Sequence, residues 1–350
     1  MTAALQELLK QTSRSFYLTL RVLPGAVRPQ IGLAYLLART TDTIADTELL
    51  PVAQRLEALQ KLRERILGLN STPLAFRELA LQQGSPAERV LLEKVEDSLA
   101  LLKTLSAADL KWVREVLNTI TGGQELDLRR FGSLGTPENR PTSHAQKIIA
   151  LQTAAELDDY TYRVAGCVGE FWTKICRAHL FPNARLDEHQ FIMDGIRFGK
   201  GLQLVNILRD LPTDLKNGRC YLPTQRLEEA KLLPETLLSP ANEGRFLPFY
   251  HDYLDQAESH LRAGWAYTNT LPFGQFRVRL ACAWPVLIGA RTVAKLRAAN
   301  VADLQARVKV SRSEVKGILL WSLLVCAVPF LWRRQFPEAA KAIASDRELA

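Results

Sequence analysis

Two pairs of aspartates stand out in the sequence because each pair has helical spacing. Asp42 and Asp46 are four residues apart, and so are Asp210 and Asp214. Residues at this spacing share one helix face at about 5–6 Å, where two carboxylates repel each other unless a cation lies between them. Hard oxygen ligands of this kind suit Mg²⁺, which keeps waters and accepts phosphate oxygens. Each pair is therefore a candidate Mg²⁺–diphosphate site.

The neighbours of both pairs strengthen this interpretation. An arginine precedes each pair, Arg39 in the first case and Arg209 in the second. Gln203 and Asn206 continue the polar stripe of the second pair, and the opposite face of that helix is apolar. A single pair of this type is common on solvated helix faces. Two copies, each beside an arginine and each inside an otherwise apolar helix, favour a functional role.

Helical periodicity must position these residues, since it runs through the chain without a run of alternating strand residues. The pattern predicts one helix over residues 31–45 for the first pair and a central helix over 187–210 for the second. Further helices are predicted over 2–20, 51–69, 87–102, 107–128, 144–180, 244–270, 273–298 and 311–333. No glycine-rich linker divides the chain, so we expect a single all-α domain over residues 1–350.

The composition limits the class of protein. The chain has 350 residues, 47% of them hydrophobic and 23% charged, as in globular proteins. Its net charge of +8 suits an anionic substrate or membrane surface, and no basic run with interleaved aromatics favours nucleic acid. Five scattered cysteines indicate free thiols in a reducing compartment. The N-terminus has no signal-peptide pattern, so we expect a cytoplasmic protein.

A C-terminal apolar run allows two interpretations. Residues 317–332 are 16 uncharged residues between Lys316 and the pair Arg333–Arg334. A membrane span needs about 20 such residues, and Pro329 argues against a simple span. We favour a helix in the core or the wall of the fold. The alternative is a peripheral contact with the inner face of the cytoplasmic membrane.

Five segments together resemble the squalene/phytoene synthase family of head-to-head prenyl synthases. In the order of that family, they are SRSF (13–16), AYLLARTTDTIAD (34–46), YTYRVAGCVG (160–169), LQLVNILRDLPTD (202–214) and GRCYLP (218–223). The resemblance covers nearly the whole chain and is stronger to bacterial squalene synthases than to plant phytoene synthases. It implies an all-α isoprenoid synthase fold, with helices around a central apolar cavity.

The resemblance also implies a reaction. Squalene synthases condense two farnesyl diphosphates with Mg²⁺ through presqualene diphosphate, and NADPH then reduces the product to squalene. The alternative is an enzyme that stops at presqualene diphosphate, or one that makes a dehydrosqualene- or phytoene-type product without reduction. A non-catalytic helical binding protein is a further reading, which the intact aspartate pairs argue against. Farnesyl diphosphate is the expected partner, nucleic acid is not, and the protein is expected to be a monomer or a weak dimer.

The resemblance assigns roles residue by residue. The implied catalytic residues are Tyr160, Asp42, Asp210 and Arg209. The implied Mg²⁺ ligands are Asp42, Asp46, Asn206, Asp210 and Asp214. The implied diphosphate contacts are Ser13, Arg14, Ser15, Tyr35, Arg39, Gln203 and Arg219. The implied NADPH contacts are Lys309 and Arg312.

The chain departs from the family pattern at three positions. Thr213 stands where the second motif usually has glutamate, and Gln124 stands where methionine is usual in the segment TGGQELDL. Ser311 replaces an arginine in the segment over 308–312 that resembles the NADPH-contacting part of eukaryotic squalene synthases. This last change leaves the reductive step open, and any NADPH would bind without a Rossmann unit. Residues 164–166 are expected to mark a helix break or a close approach of two helices.

Overall fold

The structure is a computed structural model, which describes residues 3–13, 16–47, 49–132 and 148–341. Helices make up almost all of its regular structure, which confirms the all-α prediction. Two short strands, β1 (Ile149–Ala150) and β2 (Arg219–Cys220), pair in parallel. The chain divides into two compact units, one of residues 1–142 and 171–183 and one of residues 143–170 and 184–350. No helix in the described ranges has the length and apolar character that crossing a bilayer requires.

The first unit contains the helix that carries Asp42. Its helices are α1 (Ala3–Ser13), α2 (Phe16–Val22), α3 (Arg28–Ala45), α4 (Val52–Leu67), α5 (Arg77–Leu81), α6 (Pro86–Glu93), α7 (Val95–Leu102) and α8 (Ala107–Phe131). Helix α3 packs against α4 and α8 and buries its apolar face there. Gly68 ends α4 in the left-handed region at φ +77°, and Ser106 caps α8 by accepting from the Asp109 N–H.

The second unit is built around one long helix. Its elements are α9 (Ala154–Thr161), a π-helix (Tyr162–Gly166), α10 (Cys167–Leu180, of which residues from 171 onward belong to the first unit), α11 (Glu188–Lys216), α12 (Thr224–Glu229), α13 (Glu243–Thr270), α14 (Phe276–Ala298), α15 (Val301–Gln305), α16 (Arg312–Val325) and α17 (Pro329–Lys341). Helix α11 packs along α13. The Asp187 side chain caps its start by accepting from the Gln190 N–H.

The π-helix and the first turn of α10 lie directly against α11, with backbone touching backbone. A Cβ atom built on Gly199 would come within 2.6 Å of the Ala165 carbonyl carbon, and one built on Gly169 would be equally close to the Gly195 carbonyl carbon. Only glycine fits at such an approach. The expectation of a helix break or a close approach at residues 164–166 is confirmed.

The central helix continues beyond its predicted end at residue 210. Helix α11 runs to Lys216 and includes Pro212, although proline lacks the N–H that would bond to the carbonyl four residues earlier. That carbonyl belongs to Leu208, and the buried Tyr250 hydroxyl donates to it over 2.9 Å. A side chain from α13 thus replaces the missing hydrogen bond, and Asp210 and Asp214 lie on one continuous helix.

Several other predicted helices are divided in the structure, among them the one over 87–102, which becomes α6 and α7. The prediction over residues 144–180 becomes β1, α9, the π-helix and α10 within the described part of that stretch. The prediction over 311–333 becomes α16 and α17, with the break before Pro329 because proline at a first helical position begins a helix more readily than it continues one. Helix α16 is not a core helix, since its buried residues are only Ser322 and Val325.

Candidate active site

The first acidic pair lies at the C-terminal end of α3. Asp42 is in the last turn of the helix, and Asp46 is its C-cap residue, whose N–H donates to the Asp42 carbonyl over 2.8 Å. The predicted helical spacing of this pair is therefore present. The neighbouring residues Thr40, Thr41 and Thr43 are buried. Both aspartates therefore lie on the accessible face of α3.

Two side chains hold the Asp42 carboxylate in place. The Arg39 guanidinium lies 3.8 Å from one oxygen, and the Gln124 amide of α8 donates to the other. Arg39 also forms an ion pair with Glu88 of α6. The charge of Arg39 is therefore shared between two carboxylates, and Asp46 adds a further negative charge beside Asp42.

Burial and the neighbouring Asp46 together affect the pKa of Asp42. The Asp42 side chain remains 46% exposed. Loss of water from the carboxylate on its protein side, followed by the charge of Asp46, raises its pKa to about 7, against the opposing effects of Arg39 and Gln124. A carboxylate in this position gains from a divalent cation, because the cation stabilises the charged form. The donor set thus fits Mg²⁺.

The second acidic pair lies near the C-terminal end of α11 and has the opposite charge balance. Arg209 donates to both oxygens of the Asp210 carboxylate, at 3.1 Å and 2.5 Å, and Arg307 lies 3.3 Å from one of them. Partial burial opposes ionisation of Asp210, but the two arginines outweigh it and lower its pKa. Asp214 follows one turn later and is half-buried. Asp210 therefore stays ionised at neutral pH.

Arg307 is a site residue that the sequence analysis missed. It lies between α15 and α16 with φ +66°, in the left-handed region that side chains other than glycine rarely adopt. Its only signal in the sequence was its position directly before the segment 308–312. Glu88 and Gln124 were not assigned to the site either. Gln124 was noticed only as a departure from the family pattern.

Tyr160 occupies the last turn of α9, next to the π-helix. Its ring stacks on that of Tyr221 with centroids 4.7 Å apart and planes 23° apart. Tyr221 follows β2 directly, so the segment containing Tyr160 and the segment GRCYLP meet in the structure. This stacking contact fixes the orientation of the Tyr160 ring.

The other predicted contacts have varied surroundings. The Tyr35 hydroxyl donates to the Thr12 carbonyl over 3.1 Å, and the buried Ser13 hydroxyl donates to the Leu9 carbonyl. Gln203 is half-buried on α11 and Asn206 is exposed on the same helix. Arg219 is half-buried in β2, while Lys309 and Arg312 are exposed before and at the start of α16. Arg14 and Ser15 lie outside the described residues.

Protein side chains alone do not form a closed metal site. Within the described ranges, no three histidine, cysteine, aspartate or glutamate side chains converge closely enough to hold an ion. Mg²⁺ is commonly held by one or two carboxylates together with waters and substrate phosphates. Each of the two aspartate pairs, taken by itself, is a donor set of that open kind.

Solved structures define the class of fold. A ligand complex described as TcSQS aligns with a TM-score of 0.74 and 20% identity, covering 98% of this chain and 92% of that one. A dehydrosqualene synthase aligns with a TM-score of 0.60 and 20% identity, over 91% of this chain and 93% of that chain. Squalene synthase HpnC from Alicyclobacillus acidocaldarius aligns with a TM-score of 0.57 and 19% identity, over 84% and 92%. The chain has the all-α fold of these proteins.

The sequence comparison then gives the family. The model of the squalene/phytoene synthase family matches residues 9–314, and the chain belongs to that family. A bifunctional lycopene cyclase/phytoene synthase of Gibberella fujikuroi is 29% identical over 258 residues, which are 71% of this chain and 40% of that protein. A squalene synthase of Schizosaccharomyces pombe is 23% identical over 317 residues, 91% of this chain and 64% of that protein. The chain spans about two fifths of the length of the bifunctional relatives.

Proposed function

We propose that the protein is a Mg²⁺-dependent prenyltransferase that joins two farnesyl diphosphates head to head through presqualene diphosphate. With NADPH, it would complete the reaction to squalene. The observation that carries the proposal is the pair of aspartates at the end of α3, where Asp42 shares the charge of Arg39 with Glu88, within a chain of this family. The relatives named as squalene and phytoene synthases support the same type of reaction.

The proposed chemistry assigns separate tasks to the charged residues. The aspartates of each pair would hold Mg²⁺ bound to substrate diphosphate. When bound, Mg²⁺ neutralises negative charge that develops on the departing diphosphate. Arg209 and Arg307, which lie beside Asp210, would pair with phosphate oxygens, and Arg39 would have the same role near Asp42. Fixed cations of this type stabilise charge as it develops.

The phenol of Tyr160 would take part in ionisation of the substrate or in removal of a proton from it. Its ring is fixed against Tyr221, which limits the positions that the phenol oxygen can adopt. Tyr35 has a different role in this proposal. Its hydroxyl is engaged with the Thr12 carbonyl and so joins α3 to α1, which positions the helix of the first pair.

One observation favours the non-reducing alternative. Ser311, which replaces an arginine of the resembled NADPH segment, is the N-cap of α16 and forms a capping box with Glu314. Its side chain is therefore used for helix capping, and only Lys309 and Arg312 remain to hold the phosphates of a nucleotide. An enzyme that releases presqualene diphosphate, or that forms dehydrosqualene or a phytoene-type product, needs no such contact.

Product analysis decides between these functions. Purified protein is incubated with farnesyl diphosphate and Mg²⁺, with and without NADPH, and the products are identified by mass spectrometry. Squalene that depends on NADPH supports the full reaction, and a product unaffected by NADPH supports the alternative. The absence of any C30 product would refute the proposed enzyme. Cytoplasmic location, a central apolar cavity and a single domain over 1–350 stay predictions.

A matched pair of variants tests the metal assignment. Asp42→Asn removes one carboxylate of the first pair and should lower kcat/KM by at least about 10²-fold. Asp97→Asn changes an exposed aspartate of α7 that forms a surface ion pair with Lys94, and it should leave the rate unchanged. Equal rates in the two variants would contradict a catalytic role for Asp42.

A further inference from the structure

Gln124 stands where methionine is usual in the family pattern, and the two side chains differ in hydrogen bonding. The Gln124 side chain lies on α8 and is only 8% exposed. Its amide nitrogen donates to Oδ1 of Asp42, a residue 82 positions earlier in the chain. An amide oxygen in that place would repel the carboxylate, so the nitrogen is the atom that faces Asp42. A methionine has no group that could donate this hydrogen bond.

The hydrogen bond from Gln124 makes the two carboxylate oxygens of Asp42 unequal. The buried amide occupies Oδ1, whereas Oδ2 faces the Arg39 guanidinium at 3.8 Å, which is longer than a hydrogen bond. Arg39 forms its shorter ion pair with Glu88 instead. The side chain of Asp42 is 46% exposed. A cation can therefore reach Oδ2 without breaking a hydrogen bond, and it cannot reach Oδ1 in that way.

The oxygen of the Gln124 amide lacks a hydrogen-bond partner. Its Oε1 atom is buried, and no donor among the described residues reaches it. A buried acceptor without a partner destabilises the protein, so we expect a donor there when the site binds its ligand. Water on a strongly hydrated cation is such a donor, and Mg²⁺ keeps several of its waters when it binds to proteins.

We propose that Gln124 selects the cation of the first acidic pair by restricting Asp42 to a single coordinating oxygen. This inference rests on the proposed Mg²⁺ site at Asp42 and Asp46. Mg²⁺ requires near-ideal octahedral geometry and binds few carboxylate oxygens together with waters. Ca²⁺ takes about six to eight oxygen ligands and often binds both oxygens of one carboxylate. Gln124 is therefore a positioning residue that favours Mg²⁺, because bidentate binding of Ca²⁺ would first have to break its hydrogen bond to Asp42.

Cation binding to the full chain tests this proposal without any enzyme assay. The parent chain carries Asp210→Asn/Asp214→Asn, so that the titration reports on the first acidic pair. Mn²⁺ is titrated in, the electron paramagnetic resonance signal of free Mn²⁺ gives the bound fraction, and Mg²⁺ or Ca²⁺ is then added to displace it. The readout is the ratio of the dissociation constants for Ca²⁺ and Mg²⁺. A general loss of structure weakens the binding of both cations and does not move this ratio.

A matched pair of glutamine variants isolates the role of the amide. In Gln124→Met, we expect the affinity for Ca²⁺ to rise about ten-fold relative to that for Mg²⁺, because a hydrogen bond to a charged group contributes about that factor. Gln60→Met is the control. The Gln60 amide also donates to a carboxylate, that of Glu64 at 2.8 Å, but on the exposed surface of α4. This variant should keep the ratio of the parent chain.

Two results would overturn the inference, and they can be told apart. If Gln124→Met keeps the ratio of the parent chain while Asp42→Asn loses the bound Mn²⁺, the proposed metal site stands and Gln124 does not select the cation. If Asp42→Asn binds Mn²⁺ as the parent chain does, the metal site itself is wrong and the selectivity falls with it. Thermal melting checks that each variant is folded. If Gln124→Met is not, Gln124→Leu gives the same comparison.

Discussion

Tyr250 maintains the helix that carries the second acidic pair, and its removal gives a quantitative test. Because Pro212 has no N–H, the Leu208 carbonyl depends on the Tyr250 hydroxyl, 2.9 Å away and buried. Tyr250→Phe keeps the ring and removes only this donor. A buried carbonyl left without a partner costs about 1–3 kcal/mol. We expect the free energy of unfolding to fall by that amount.

A double-mutant cycle separates the hydrogen bond from other effects of the tyrosine. Pro212→Ala restores an N–H four residues after Leu208, so α11 can satisfy the carbonyl itself. In that background, Tyr250→Phe should cost less than about 1 kcal/mol, which gives a coupling energy of about 1–2 kcal/mol between the two positions. Urea unfolding of the four proteins, followed by far-UV circular dichroism, measures the cycle.

The result that would refute this reasoning is a coupling energy of zero. An equal cost of Tyr250→Phe with proline and with alanine at position 212 would mean that the hydroxyl does not replace the missing helical bond. Binding of Mg²⁺ is a second readout, because the hydrogen bond from Tyr250 to the Leu208 carbonyl lies close to Asp210 on α11. Tyr250→Phe should weaken binding of Mg²⁺ with a diphosphate analogue, and Pro212→Ala should restore it.

Three further predictions concern packing and ionisation. Gly199→Ala should destabilise the protein by about 1–3 kcal/mol, because its Cβ would collide with the Ala165 backbone. Gly317→Ala has open space around it and should stabilise α16 by up to about 1 kcal/mol. Chemical denaturation measures both. The pKa of Glu314 is lowered from 4.5 to about 2. Glu314→Gln should therefore lower the free energy of unfolding by about 1–3 kcal/mol at neutral pH. This difference between variant and wild type should vanish as the pH falls from 4.5 through 2. Burial lowers the pKa of His260 from 6.5 to about 4, and the charges of Arg197 and Lys200 add to this effect. The unfolded chain then binds a proton that the folded chain does not, so wild-type stability should fall by up to about 1.4 kcal/mol for each unit by which the pH is lowered from 6.5 to 4. A His260→Gln variant that retains the full slope would contradict this origin.

The positions of the two acidic pairs on helices could be predicted because helical spacing is a local property of the sequence. The extent of α11 could not, because the group that compensates Pro212 comes from Tyr250, 42 residues away from Leu208. Arg307 was missed for the same reason, since it reaches Asp210 across 97 positions of sequence. Contacts of this range leave no periodic signal.

The C-terminal run shows a different limit of sequence reasoning. An apolar stretch between basic residues normally indicates burial, and its leucines were expected to face the core or wall of the fold. The structure buries Ser322 against Gln335 and exposes Leu324. Which face of a short helix is covered depends on its anchors, here the ion pairs of Glu314 and the buried Trp332.

The π-helix touches α11 at Gly199, and the start of α10 touches it at Gly169, which has a mechanical consequence. Where two main chains touch with no side chain between them, no change of rotamer can absorb a small displacement. A shift of α11 on its axis, for example when Asp210 exchanges an arginine for another cation, would therefore carry the π-helix with it. Tyr160, two residues before the π-helix, would move in step with a carboxylate fifty residues away in the chain.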